Sequence, residues 1–200
     1  LLAPAFATAK VPVVEFCGEG WPVTAKRLSC YKGRTLDSKA PPFDLAPVAA
    51  LPHLEQLSLI SGELEFILPL PLADLSPVAQ LTQLKVLNLG HTTASDVSFL
   101  KRLTRLEDLS LHASPVSKLP PLRHLTELKT LDLSSTRVSD LTPLAGLHKL
   151  ERLDLTHAPV TQLAPLKQLK ALQWVGLSPA LHAEARKLLP GVRITEGRKY

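Results

Sequence analysis

The sequence predicts an α/β solenoid: a curved ribbon with a parallel β-sheet on its concave face and short helical or 3-10 turns on its convex face. Three observations predict it. Leu75, Val97, Leu119, Leu141 and Leu163 are spaced by 22 residues, and the residues between them repeat as well. Each unit carries Leu-x-x-Leu-x-Leu, as in Leu128-Lys-Thr-Leu131-Asp-Leu133 and Leu150-Glu-Arg-Leu153-Asp-Leu155. Hydrophobic residues make up 45% of the chain but aromatics only 4%, so the core must be aliphatic and mostly leucine. A unit of this length cannot bury its apolar face alone and must stack on its neighbours.

The first residues read as a compartment signal. Leu1 to Ala7 resembles the end of a secretory leader, with Ala5-Phe-Ala7 as a small-residue cleavage box. Residues 8–44 form an N-terminal capping segment with Trp21, Tyr31 and the two cysteines, and Val23 to Cys30 reads as a degenerate opening strand. Atypical sequence is expected there, because a solenoid must cover its end leucines. An even cysteine count at short spacing, beside a leader, predicts a Cys17–Cys30 disulfide across the open end of the stack. The alternative is a pair of buried thiols.

Residues 45–180 hold about six repeats. The first begins at Leu45, and its successor follows 30 residues later at Leu75, so an eight-residue insert falls near 61–74. Phe66, Ile67 and Leu68 make that insert apolar, either a docking finger or a lid over the first repeats. Residues 181–200 are the C-terminal cap, with a helix over Leu181 to Leu189 stopped by Pro190-Gly191 and a short strand at Val192 to Ile194.

Within a repeat, Leu153 and Leu155 alternate with Arg152, Asp154 and Thr156, the period of two of a strand with one face buried. The stretch Thr142-Pro143-Leu144 has helical spacing, with threonine as N-cap and proline at the first helical position. Thr92, Ser114 and Thr136 lie where the chain leaves the strand, and their hydroxyls can satisfy backbone groups of the turn.

Formal net charge is +5. The basic residues are scattered, with no run interleaved by aromatics, which argues against nucleic acid as partner. No stretch approaches the roughly 20 apolar residues of a membrane span. Two cysteines without closely spaced histidines do not make a metal site, and no cofactor is expected. Asp132, Ser134 and His157 can be drawn as a hydrolytic trio, but no nucleophile elbow or oxyanion nest accompanies them, so the chain reads as non-catalytic.

The unit Leu-x-x-Leu-x-x-Leu-x-x-Leu-x-x-Leu-x-Leu-x-x-Thr-x-Val-x-Asp, clearest from Leu119 to Asp140, resembles the leucine-rich repeat family in its 22-residue form. It is similar to internalin-like and phosphatase-regulator-like repeats. The resemblance covers about Leu45 to Leu177 and implies a curved ribbon whose concave strands bind a protein ligand. The insert and Ala158, in place of the usual threonine, depart from it.

Residues that the repeat does not dictate are the candidates for recognition. Outward positions form three columns across the strands. The first runs Gln56, Val86, Asp108, Thr130, Arg152, Trp174; the second Ser58, Asn88, Ser110, Asp132, Asp154, Gly176; the third Ile60, Gly90, His112, Ser134, Thr156, Ser178. Asp108, Asp132 and Asp154 predict an acidic patch, with His112 at its edge. Trp174 and Arg152 offer the large anchors favoured in binding hot spots, with Phe66 as a second contact. Trp174 packed flat as part of the cap is the competing reading. The expected function is protein recognition through the concave face, in an exported and bacterial setting, toward a partner with a basic patch. Lysine at Asp132 and Asp154 is expected to weaken binding without unfolding the stack. An inhibitor of a toxin or enzyme, and a structural segment of an envelope assembly, are the alternatives.

Overall fold

Within a repeat the leucines recur every three residues or closer, as at Leu141, Leu144, Leu147, Leu150, Leu153 and Leu155, and turn to one side of the coil. The computed structural model describes residues 12–17, 19–32, 42–61, 69–120 and 122–197. The leader segment 1–7 and Phe66 lie outside them. Strands β1 (Val13–Phe16) and β2 (Glu19–Pro22) pair as an antiparallel hairpin. A second, parallel sheet follows in chain order: β3 (Arg27–Lys32), β4 (Gln56–Ser61), β5 (Val86–Asn88), β6 (Asp108–Ser110), β7 (Thr130–Asp132), β8 (Arg152–Asp154), β9 (Trp174–Gly176) and β10 (Arg193–Thr195). The sheet thus reaches beyond the repeats at both ends, because β3 and β10 pair onto the outermost regular strands.

The pairing register sets the inward row as Leu28, Leu57, Leu87, Leu109, Leu131, Leu153 and Val175, none more than 1% exposed. Truncating one of these to alanine would cost about 2–5 kcal/mol, because neighbouring repeats cannot collapse into the void without breaking register.

The convex side is built of 3-10 turns, among them Ser76–Gln80, Ser98–Arg102, Thr142–Leu144 and Ala164–Gln168. Proline in the first two positions fits a segment whose first N–H groups have no partner within the turn. The expected Thr142 hydroxyl cap is absent. Instead the Asp140 carboxylate accepts the Thr142 N–H at 2.8 Å, as Asp74 and Asp96 accept those of Ser76 and Ser98. The longer aspartate side chain two residues earlier reaches forward to this N–H, so the turn is capped from outside it.

At the other end of each strand the hydroxyls behave as expected. Thr92, Ser114 and Thr136 donate to the carbonyls of Leu89, Leu111 and Leu133 at 2.6–2.7 Å, and all three residues are buried. Ala158 lacks the hydroxyl, and only its N–H reaches back, to the Leu155 carbonyl.

One residue per repeat then takes a left-handed conformation: His91, Ala113, Ser135 and His157, with φ between 52° and 62°. It swings the chain off the sheet while its N–H still reaches the next repeat, as from Ala113 to the Ser134 carbonyl at 2.9 Å. The same register position one repeat later is Pro179, whose ring holds φ near −65°. The turn cannot form there, so the chain runs into a 3-10 turn (Pro179–Leu181) and α1 (His182–Leu188), which close the stack.

The opposite end is closed by the hairpin. A Cys17–Cys30 disulfide ties it to β3 with Cα atoms 6.0 Å apart. In the chain-entropy model a closure this short contributes about 3 kcal/mol. Phe16 packs edge-on against Phe43 at 5.1 Å, and the Trp21 indole N–H donates to the Phe16 carbonyl. The last residues of the insert are stitched into the stack. Leu70 donates to the His91 carbonyl and Leu72 to the Thr93 hydroxyl, while Phe43 donates to the Pro71 carbonyl.

Left-handed backbone at a residue with a side chain costs about 1 kcal/mol relative to glycine. Ala113→Gly is therefore expected to raise unfolding stability by about 0.5–1 kcal/mol. A urea titration reads this directly; a loss of stability would show that the alanine methyl, rather than the backbone, dominates at this turn.

Candidate functional site

The solvent side of the sheet is the surface that packing leaves undetermined. Hydrogen-bonded register aligns Arg27, Gln56, Val86, Asp108, Thr130, Arg152, Trp174 and Arg193 in one column. The next column is Ser29, Ser58, Asn88, Ser110, Asp132, Asp154, Gly176 and Thr195. Asp108 and Trp174 are partly exposed, and Arg152 and Arg193 are exposed.

Trp174 does not close the stack, because β10 lies beyond it. The Arg152 guanidinium stacks over the indole, 5.3 Å from the ring centroid. That distance is within range of a cation–π interaction worth about 0.5–1 kcal/mol at an exposed site.

Asp132 and Asp154 are not offered to solvent as the acidic patch requires. They are 8% and 4% exposed. Each folds its carboxylate over its own turn. Asp154 Oδ1 accepts the Thr156 N–H at 3.0 Å and the Thr156 hydroxyl at 2.6 Å. Asp132 Oδ1 accepts the Ser134 N–H at 2.9 Å and the Ser134 hydroxyl. Asn88 makes the same turn, accepting the Gly90 N–H at 2.9 Å. An Asx turn is what these side chains prefer wherever the chain must reverse. Of the expected patch only Asp108 remains for a partner. Lysine at Asp132 or Asp154 would abandon both bonds, so such variants perturb the turn as well as any contact.

Gly176 does not leave room beside Trp174. A Cβ there would lie 2.5 Å from Asp154 Oδ1, so glycine is required because the buried carboxylate already fills the space.

His112 sits at the edge of a depression of about 400 Å³ lined by Val86, Asn88, Gly90, His91, Asp108 and Thr130. Its Nδ1 is 2.7 Å from the Ser134 hydroxyl oxygen. Ser134 gives its one hydroxyl hydrogen to Asp132, so its oxygen accepts from His112. The chain Asp132–Ser134–His112 therefore orients an imidazole and does not activate a serine. His91 packs edge-on against His112 at 4.7 Å. Burial, and secondarily the His112 charge, hold His91 below the usual imidazole range. His157, drawn into the hydrolytic trio by sequence, is an exposed turn residue. Among the described residues no group of three His, Cys, Asp or Glu is placed to hold a metal ion.

Sequence reading missed a charge ladder on the edge where the strands begin. Lys26, Glu55, Lys85, Glu107, Lys129 and Glu151 occupy one register position and alternate in sign. Glu55 bridges Lys26 and Lys85 at 3.2 and 2.9 Å, and Lys129 meets Glu107 at 2.6 Å. Hydrogen bonds from Lys85 and then Lys26 lower the Glu55 pKa, and one from Lys129 lowers that of Glu107. Charges read at the repeat period, rather than as linear runs, would have revealed it.

A family model of leucine-rich repeats, two copies, matches residues 126–168. An internalin (inlC2) of Listeria monocytogenes superposes with a TM-score of 0.58 at 25% identity, covering 84% of this chain and 78% of that one. A second internalin (inlF) of the same organism superposes with a TM-score of 0.55 at 24% identity, covering 80% of this chain. The chain spans 51% of the length of that second internalin. A search of curated proteins returns no match. The repeat, the sheet and these likenesses together give the chain the fold of a leucine-rich repeat solenoid. This architecture is typical of protein–protein interaction modules. No helix among the described residues is long and apolar enough to cross a membrane.

The turn role of Asp154 has a direct consequence. Asp154→Ala strands two buried donors and is expected to cost about 1–3 kcal/mol. Asp154→Asn keeps the acceptor, as Asn88 does in its own repeat, and should cost under about 1 kcal/mol. Equal, small losses for both in denaturant titrations would contradict the assignment.

Proposed function

We propose that the chain is an exported, non-catalytic module that holds a protein partner on its concave face. The observation that carries this is the Arg152–Trp174 stack. It is a large aromatic, partly exposed on the penultimate strand of the sheet, at a position that neither the repeat nor the core demands. Tryptophan and arginine are the residues most enriched where binding energy concentrates. Asp108 and His112, the latter held by Ser134, lie on the same face and serve as flanking contacts. The partner's expected basic patch narrows to whatever meets Asp108.

The Cys17–Cys30 bond supports an oxidising destination, since disulfides persist outside the reducing cytosol. Likeness to internalins supports a bacterial, surface or secreted setting. Against catalysis stands the shallow face itself. Ser134 is 4% exposed and gives its proton to a carboxylate, so neither a nucleophile nor a water-excluding pocket is assembled.

Affinity capture from an envelope fraction tests the reading. The wild-type chain is expected to retain a protein that Trp174→Ala and Arg152→Ala variants lose, with a drop of at least about 2 kcal/mol in binding for the tryptophan. Equal recovery by all three would move recognition off this face.

A further inference from the structure

We infer that the segment of the partner received at Arg152, Trp174 and Arg193 is acidic. This rests on the concave face being the recognition surface and specifies what that surface prefers. The sequence alone points the other way, toward a basic partner, because it counts three aspartates across neighbouring strands. Burial reverses the sign of what can be touched. Asp132 and Asp154 are 8% and 4% exposed and each is bonded into its own turn. On the strand-start edge, Glu55 and Glu107 already hold lysines at 2.9 and 2.6 Å. A basic segment would therefore meet Asp108 and, on that edge, Glu151, and find Glu55, Glu107, Asp132 and Asp154 occupied.

The outermost column is different. Its charged members are Arg27, Asp108, Arg152 and Arg193, three cations against one anion. Arg152 and Arg193 lie on the strands either side of Trp174, so their Cα atoms are about 10 Å apart at normal strand spacing. Both are exposed, whereas Asp108 stands two strands from Arg152. The Arg152 guanidinium, 5.3 Å from the indole centroid and exposed, makes no ion pair among the described residues, so its N–H groups stay available to a ligand. Such groups take a carboxylate by two parallel hydrogen bonds. A glutamate- or aspartate-rich segment can set carboxylates on both arginines while its aliphatic stems lie on the Trp174 ring between them.

The two tryptophans of the chain allow a direct test. Trp21 lies in the N-terminal hairpin, so Trp21→Phe leaves emission that reports on Trp174 alone. This variant is titrated with a glutamate-rich peptide and with a lysine-rich peptide of equal length, at low and at physiological salt. A saturable emission change with the glutamate peptide, weaker at higher salt, is expected. Arg152→Glu or Arg193→Glu should lower that affinity by about tenfold or more, as loss and reversal of a steering charge does. Arg27→Glu, at the far end of the sheet, should leave it unchanged. Arg152→Gln, with its melting temperature recorded, separates a lost contact from a disturbed fold: affinity must fall while the melt is retained. An equal or stronger response to the lysine peptide, or no response to either, overturns the inference. If the captured envelope protein still depends on Trp174 in that case, the concave-face reading stands and only the acidic preference fails.

Discussion

Each strand of this solenoid must leave the sheet at once, without stranding a polar backbone group beside a leucine core. The answer recurs from repeat to repeat, with Ala158 the exception that lacks the hydroxyl. A hydroxyl at Thr92, Ser114 or Thr136 holds a strand-end carbonyl, and a residue with φ near 55° redirects the chain. Asn88, Asp132 and Asp154 fold back to accept from the turn. The inward leucines can stay in register only because this exit costs little. Where it becomes impossible, at Pro179, the repeats stop and the helix His182–Leu188 takes over.

That constraint also decides what the protein can present. Side chains used to complete a turn cannot serve a partner equally well, and the structure divides the concave face accordingly. The second column belongs largely to the fold. The first column is free of the turn, and it carries Asp108, Arg152, Trp174 and Arg193. Alternating lysine and glutamate along the strand-start edge neutralise one another between repeats. Such exposed pairs add little stability individually, but they leave the basic excess of the chain to be expressed elsewhere, including at Arg152 and Arg193.

Much of the architecture was legible because a period of 22 residues repeats the same instruction and the inward leucines admit one register. The first two outward columns could be written down from alternation alone, and the pairing agrees with them. What alternation could not reveal was depth. Asp132 and Asp154 point to the solvent side as expected, yet their carboxylates turn back, since a short acidic side chain beside a turn donor bonds locally. Nor does alternation show that Gly176 is the floor beneath Asp154, with no space for a side chain. The N-terminal hairpin and the closing strand β10 have no repeat to announce them; the hairpin shows itself only through Cys17 and Cys30, and β10 through a few alternating residues after Pro190-Gly191.

The division between fold-serving and partner-serving residues can be read from amide hydrogen exchange in the native protein. The N–H groups of Gly90, Ser134 and Thr156 donate to Asn88, Asp132 and Asp154. The account predicts that these three exchange slowly, on the scale of the neighbouring sheet amides of Leu89, Leu133 and Leu155. Exchange as fast as in an open surface turn would contradict it, and would return Asp132 and Asp154 to the solvent and to any partner.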